Sequence, residues 1–577
     1  MATFEQAGLN GAARVNAGGG SRSYPWLKRY PRNVDFFEAF RSTPLPNLLD
    51  HAAARFPANP AMRFFGKTMT YAELGDAVNR AAKGLGALGV GQGTRVGLNL
   101  PNCPAFVIYY YAVLKCGGIV VGMNPLYAVP ELSYQAKDAG MDIMVTLDLK
   151  ATFPKAKTLL DQGALKTVVV ERFRDMLPGL KGLLFSLFKR NEIASWKEGA
   201  GVIASREVLN NDGRFEPCVI DANAVAALQY TGGTTGTPKG AMLTHTNLST
   251  NVLQTAAWIA GLANEGEERF LCVIPFFHSF AMTAMMNLAV NVAAEMIMLP
   301  RFDLKQTLKL IGETKPTVMA GVPTLFNALA KAPHIERHDL TSLKFCISGG
   351  APLPLEIKRA FERVSGCKLV EGYGLSETSP VTHVNPLNEI AKEGSIGLPL
   401  PGTIMSLRDL SAPQKEVPLG EKGEICICGP QVMKGYWNKP SETANAFVDG
   451  FFRTGDVAYM DEDGFTYIVD RIKDIILCSG FNVYPRCVEE AIHEHPAVEE
   501  VTVIGIADPY RGEAPKAFVK LRQGRQLTKE DMIEFLKARI SKIEMPSEIE
   551  FREALPKTLI GKLSKKELVA EEKTKPH

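Results

Sequence analysis

The run Tyr230-Thr231-Gly232-Gly233-Thr234-Thr235-Gly236-Thr237-Pro238-Lys239-Gly240 carries the strongest chemical signal in the chain, and it follows an apolar, strand-like stretch at 225–228. Its glycines let a loop adopt positive φ and bring backbone amides close to an anion. The threonine hydroxyls add donors, and Lys239 adds a point charge. This is the composition of a phosphate cradle. It is not the Walker form, because no Gly is followed by Lys-Ser/Thr after a four-residue gap.

Further blocks accompany it: Pro275-Phe276-Phe277-His278-Ser279-Phe280, Ser348-Gly349-Gly350-Ala351-Pro352, Glu371-Gly372-Tyr373-Gly374-Leu375-Ser376-Glu377-Thr378, Phe452-Arg453-Thr454-Gly455-Asp456, Asp470-Arg471-Ile472-Lys473-Asp474 and 555–563 around Gly561-Lys562. Taken singly, several of these would be ordinary turns, a core histidine or a solvated lysine. Together, and in this order, they resemble the adenylate-forming superfamily that contains acyl-CoA synthetases, firefly luciferase and the adenylation domains of nonribosomal peptide synthetases. The resemblance covers residues 24–568.

The resemblance implies a role for each block. The cradle, Thr231, Gly232, Gly233, Thr234, Thr235, Gly236 and Lys239, would bind the phosphates of ATP. Gly350, Ala351 and Pro352 would form one wall of the adenine slot, and Glu371, Gly372, Tyr373, Gly374 and Ser376 the other. Glu377, with Thr231, would hold Mg²⁺; an aromatic face suits a purine and a hard carboxylate suits a phosphate-bound magnesium. Asp456 would accept from the ribose hydroxyls, with Arg471 beside them, and Lys473 would be the hinge residue. The Gly that often precedes the Arg of that block is Asp470 here. His278 would lie by the substrate carboxylate, and Lys562 would bridge that carboxylate and the α-phosphate, an electrostatic role at a charged transition state. Activation joins a carboxylate to AMP with loss of pyrophosphate. The resemblance then implies that a small C-terminal domain turns about Lys473, removes Lys562 and presents a path for a thiol near 479–482.

These residues need a scaffold that repeats strand and helix. Helical apolar spacing at 48–56 and 71–88, and short β-branched runs at 95–98, 119–122, 143–146 and 167–170, predict a mostly parallel, layered α/β sheet. From about residue 400 turn pairs such as Asp449-Gly450 and Asp463-Gly464 mark β-rich, hairpin-like chain. After 470 the pattern becomes a small α+β module, with strands at 501–506 and 517–521 and a helix at 529–541. The expected division is a polar tail at 1–23, an adenylation domain at 24–470 whose β-rich part begins near 400, and a mobile domain at 471–577.

The composition agrees. A chain of 577 residues exceeds what one core supports, and 65 basic against 62 acidic residues give a net charge of +3, which is no polyanion-binding signature and argues against a nucleic-acid partner. Ten cysteines form no CxxC pair, so they read as small buried hydrophobes in a reducing compartment. The N-terminal stretch lacks a cationic segment followed by an apolar one, which predicts a cytoplasmic protein. The apolar stretches 106–123 and 271–299 are interrupted by Lys115, His278, Asn287 and Glu295 and read as core or ligand tunnel. Residues 173–189 read as one basic amphipathic helix that could pack on its own domain or lie on the inner face of a membrane.

The acyl pocket should be lined by 276–286 and 318–326, which carry no charged side chain to match an amino acid's ammonium. Small residues at Ala281, Ala284, Ala320 and Gly321 leave room for an alkyl chain, and each buried CH₂ contributes about 0.8 kcal/mol. The sequence at 24–31 and the 173–189 segment are similar to bacterial long-chain fatty-acyl-CoA synthetases. The expected reaction is therefore ATP-dependent ligation of a long-chain fatty acid to CoA. Transfer to a carrier protein's thiol, a shorter or aryl carboxylate, and a silent lipid-binding protein are the alternatives. Peripheral membrane contact and a homodimer are the open partner assignments.

Overall fold

The computed structural model describes residues 24–231, 237–387, 390–479, 481–557 and 563–574. The chain divides into two compact units, one formed by 1–404 with 428–446 and the other by 405–427 with 447–577. The expected boundary at 470 thus falls inside the second unit, which also takes in most of the β-rich part.

The first unit is built on two sheets. Among the described residues, one has seven strands in the spatial order Val202–Ala204, Thr167–Glu171, Ile143–Leu147, Arg95–Asn99, Ile119–Gly122, Val225–Thr231 and Lys239–Thr244. Six run parallel, and the last turns back antiparallel on Val225–Thr231. Val, Ile, Leu, Met and Ala make up most of these strands because both faces are covered. The other sheet has nine strands; its middle is the parallel set Lys368–Gly374, Phe345–Ser348, Val318–Gly321, Arg269–Cys272, Glu295–Met298 and Pro60–Phe64. Helices enter on side-chain caps where precision matters: Thr70 and Glu73 form a capping box at Tyr71–Ala87, and Thr244 and Asn247 do the same at His245–Trp258.

The two apolar stretches are core. In 106–123 the helix Pro104–Lys115 is buried all round and leads into Ile119–Gly122; its one charge, Lys115, pairs with Asp50 at 2.5 Å and donates to Asn79 at 2.8 Å. In 271–299 a π-helical turn at Met282–Asn287 interrupts the helical segment, and Asn287 is held between the hydroxyls of Tyr110 and Tyr111.

The expected single helix at 173–189 is two pieces, a 3₁₀ turn at Phe173–Met176 and an α-helix at Gly179–Phe188. Pro178 separates them, because its ring excludes helical backbone at Leu177. The second piece packs through Gly182, where a Cβ would stand 2.7 Å from the Arg174 carbonyl. Leu180, Leu183, Leu184, Leu187 and Phe188 are exposed. No helix among the described residues is long and apolar enough to cross a membrane.

The second unit holds two sheets of its own. In the first, Phe451–Met460 is flanked by Gly423–Cys428 and Thr466–Arg471. In the second, Gly512–Leu521 pairs antiparallel with Val498–Asp508 and parallel with Glu548–Phe551, over a core shared with the helices Pro485–His493 and Lys529–Lys537.

Candidate active site

Each unit carries part of the set of residues that the motifs single out, and each part has its own manner of construction. In the first unit the cradle springs from the antiparallel pair Val225–Thr231 and Lys239–Thr244, with Thr231 opposite Lys239 and its hydroxyl donating to the Lys239 carbonyl at 3.4 Å. Gly232, Gly233, Thr234, Thr235 and Gly236 lie outside the described residues. On the near side the pair is buttressed from the helix Val129–Ala139. Tyr230 donates to Asp138 at 2.7 Å, Lys439 pairs with the other Asp138 oxygen at 3.1 Å, and Tyr134 donates to the Pro238 carbonyl at 2.9 Å. Lys239 forms an ion pair with Glu442 and lies 5.2 Å from the centre of the Tyr436 ring.

The 348–352 and 371–378 blocks lie at the ends of two neighbouring parallel strands, with Ser348 paired to Glu371. Gly350 follows at φ +79°, leading to Ala351 and Pro352. Gly374 is required by space, and Gly349 is closely packed. A Cβ at Gly374 would stand 2.0 Å from the Pro380 carbonyl, and one at Gly349 would meet the Phe280 ring at 3.0 Å and the Gly372 carbonyl at 3.4 Å. Tyr373 is half-buried, with His383 edge-on at 6.0 Å on the antiparallel partner strand. Burial pushes the His383 imidazole down to about 3, so this neighbour is neutral.

Ser376, Glu377 and Thr378 form a 3₁₀ turn that packs against both cradle strands. Glu377 is buried; one carboxylate oxygen accepts from the Tyr436 hydroxyl at 2.8 Å, and its carbonyl accepts from the Met433 amide at 2.7 Å. Burial and the Glu377 charge hold the Tyr436 phenol well above its usual range, so Tyr436 stays a donor. The Ser376 hydroxyl meets that of Ser279 at 3.2 Å. Gln229, on the strand that leads to the cradle, donates to the Phe277 carbonyl at 3.0 Å. His278 caps the next helical turn by accepting from the Phe280 amide at 3.3 Å. The cradle strand, the 275–280 block and the Glu377 turn are therefore bonded into one assembly. The pocket segments flank it: Ala281, Met282, Ala284, Met285 and Met286 are buried, and the Gly349 amide bonds the Gly321 carbonyl at 3.0 Å.

In the second unit Asp456 and Arg471 stand opposite each other on antiparallel strands and pair at 2.8 Å, with Asp456 buried. Lys473 sits in the short 3₁₀ turn Ile472–Asp474 that follows. Asp470, which departs from the family's Gly, is buried; its carboxylate accepts from the Arg471 amide at 2.8 Å and the Arg486 amide at 2.6 Å. Burial pushes it up to about 6 against those two donors. Ser479 takes positive φ, 51°, and Phe481 is exposed. Gly480 and Lys562 lie outside the described residues. Within the latter's block, Lys557 and Leu563 form an antiparallel bridge.

The motif reading missed Tyr436 and Glu442. Both lie at 435–442, an aromatic and polar stretch with no spacing signal of its own, which matters because of what it folds against.

This fold and this order of site groups define a nucleotide-dependent acyl-activating enzyme. The chain belongs to the AMP-binding enzyme family, which it matches over residues 49–437, and it matches the AMP-binding enzyme C-terminal domain over 487–562. It is 44% identical over 559 residues to the long-chain-fatty-acid–CoA ligase of Bacillus subtilis (strain 168), covering 96% of this chain and 99% of that one. It is 37% identical over 553 residues to the enzyme of the same name from Salmonella typhimurium, covering 94% and 97%. Among solved structures, ATP-bound MatB from Rhodopseudomonas palustris superposes with a TM-score of 0.80 at 29% identity, covering 92% of this chain and 99% of that one.

Proposed function

We propose that this chain activates long-chain fatty acids to acyl-CoA in two steps, forming the acyl-adenylate with release of pyrophosphate and then the thioester with release of AMP. The observation that carries this reading is full-length similarity, 44% over 96% of the chain, to a long-chain-fatty-acid–CoA ligase. The assembly around Glu377 supports it. A buried carboxylate whose turn packs on the two strands that flank the proposed phosphate loop, one of which ends at Thr231, is the donor chemistry that fits Mg²⁺. Glu377 and Thr231 would hold the ion, which when bound neutralises phosphate charge. Lys239 and the cradle amides bind the phosphates, Tyr373 and the 350–352 loop take adenine, and Asp456 and Arg471 take the ribose. His278 orients the fatty carboxylate, and Lys562 stabilises the charge that builds as it attacks the α-phosphate. The thiol of CoA enters near 479–482.

The acyl chain lies among 276–286 and 318–326, a wall without charge, where length is rewarded at about 0.8 kcal/mol per CH₂. Such a substrate resides in lipid, and the Gly179–Phe188 helix supplies a docking surface for it. Five large apolar side chains are exposed on this helix. Residues 172–192 carry five Lys/Arg and two Asp/Glu, net +3, equal to the net charge of the whole chain. That combination fits the surface of an anionic bilayer.

The test measures AMP and acyl-CoA across acetate, hexanoate, palmitate, oleate and coumarate. Palmitate and oleate should dominate; turnover of coumarate without palmitate would discard the long-chain assignment. In the same assay the pair Leu183→Glu and Phe188→Glu should slow turnover of palmitate held in anionic vesicles and spare detergent-dispersed palmitate. Equal rates from vesicles would remove the membrane surface.

A further inference from the structure

Asp470 stands where the family's hinge block often has Gly, and its surroundings give it work to do. It ends the Thr466–Arg471 strand, and the hinge turn Ile472–Asp474 follows at once. Its side chain reaches past that turn to the start of the helix Pro485–His493. The N-cap residue of that helix, Tyr484, supplies no side-chain cap. The Asp470 carboxylate takes the cap's place, accepting the Arg486 amide at 2.6 Å from sixteen residues upstream, with the Arg471 amide on its other oxygen at 2.8 Å. A carboxylate at a helix N-terminus is favoured by the orphan amides and by the dipole.

The same helix continues the connection. Glu489 accepts from the Val503 amide at 2.8 Å and pairs with Lys565 at 3.0 Å. Lys565 begins the last helix, Lys565–Thr574, three residues beyond Lys562. Asp470, the capped helix, Glu489 and Lys565 thus form one path from the hinge to the chain that carries the lysine.

We propose that Asp470 is a latch on the C-terminal lobe: its carboxylate caps the lobe's first helix from across the hinge, holds the lobe in one orientation, and releases Arg486 when the lobe turns between half-reactions. This rests on the two-step reading above, and it makes Asp470 a positioning residue that touches no substrate. A Gly at this position would remove this hydrogen bond and leave the apolar contacts of Ile472 and Ile475 in the cluster with Tyr484 and Cys487.

Asp470→Ala in the full chain should shift the balance of orientations on the order of tenfold, the change that one lost helix cap carries. ATP–pyrophosphate exchange with palmitate and thioester formation from supplied palmitoyl-AMP should then move unequally, one slowing while the other holds or quickens. Asp470→Asn keeps the shape and one acceptor and should fall between wild type and Ala. Trypsin cleavage after Arg471 and Lys473 reads the latch without any substrate and should quicken in Asp470→Ala at unchanged melting temperature of the first unit. Equal losses in both half-reactions, or an unaltered ratio with unaltered cleavage, would overturn the latch. Faster hinge cleavage in a protein that makes no palmitoyl-AMP would keep the latch and discard the substrate reading.

Discussion

The two units hold their site residues by different means. In the first, most of these groups are fixed by hydrogen bonds outside ion pairs and by close contacts between elements: Gln229 to the Phe277 carbonyl, Ser376 to Ser279, the Tyr436 hydroxyl to the Glu377 carboxylate, and Gly374 where no side chain fits. In the second, the groups are held by charge: Asp456 to Arg471, Asp470 to the Arg486 amide, Glu489 to Lys565. A site held by directional hydrogen bonds and close contacts is shaped before its ligand arrives. One held by ion pairs can exchange a protein partner for a ligand at little net cost, since exposed and half-exposed pairs are weak. Lys239, paired with Glu442, and Lys439, paired with Asp138, are exceptions in the first unit, and Lys239 belongs to the loop proposed to receive phosphates. In the proposed reaction the first unit serves as the template, and 471–577 within the second unit is the part proposed to move.

The most severe way to break that comparison is to remove Lys562, the lysine that the C-terminal part is proposed to deliver. Lys562→Ala should lower adenylation by about 10²–10³, the loss of one charge-stabilising donor at the transition state, while thioester formation from supplied acyl-AMP continues near the wild-type rate. Equal loss in both half-reactions would mean that Lys562 supports the whole fold of its lobe. Glu377→Gln belongs to the template instead. It should cut adenylation less steeply and raise the Mg²⁺ concentration needed, because a neutral amide is a weak ligand for a hard cation.

How far the sequence exposed this architecture depends on the kind of signal. The parallel strands at 95–99, 119–122, 143–147 and 167–171 were legible because burial on both faces forces unbroken apolar runs. The 230–240, 348–352, 371–378 and 452–456 blocks stood out as motifs because the chemistry proposed for them calls for Gly, aromatic and carboxylate in fixed local order. The break at Pro178 was also on the page, and reading 173–189 as one helix gave apolar periodicity more weight than the proline. Tyr436 and Glu442 were not legible, since their partners Glu377 and Lys239 lie 59 and 203 residues away. The departure at Asp470 was visible, but its cap on a helix beyond the hinge is a tertiary fact. The same holds for the grouping of 405–427 with 447–577, which depends on which sheet a strand joins and not on local texture.

The mildest change sharpens the comparison most. Tyr436→Phe deletes one hydroxyl and keeps the ring that lies beside Lys239. The hydroxyl donates to Glu377, and a hydrogen bond to a charged group contributes about 1.5–3 kcal/mol in general. Water or Mg²⁺ can occupy the freed lone pair, so the expected loss is at the low end, about tenfold in kcat/KM for adenylation. A template residue should spend that loss on the nucleotide step alone, with KM for ATP–Mg²⁺ rising and thioester formation from acyl-AMP unchanged. If Tyr436→Phe instead slowed both half-reactions together, Tyr436 would be coupled to the moving lobe, and the division between template and moving part would fail at the residue the motifs did not find.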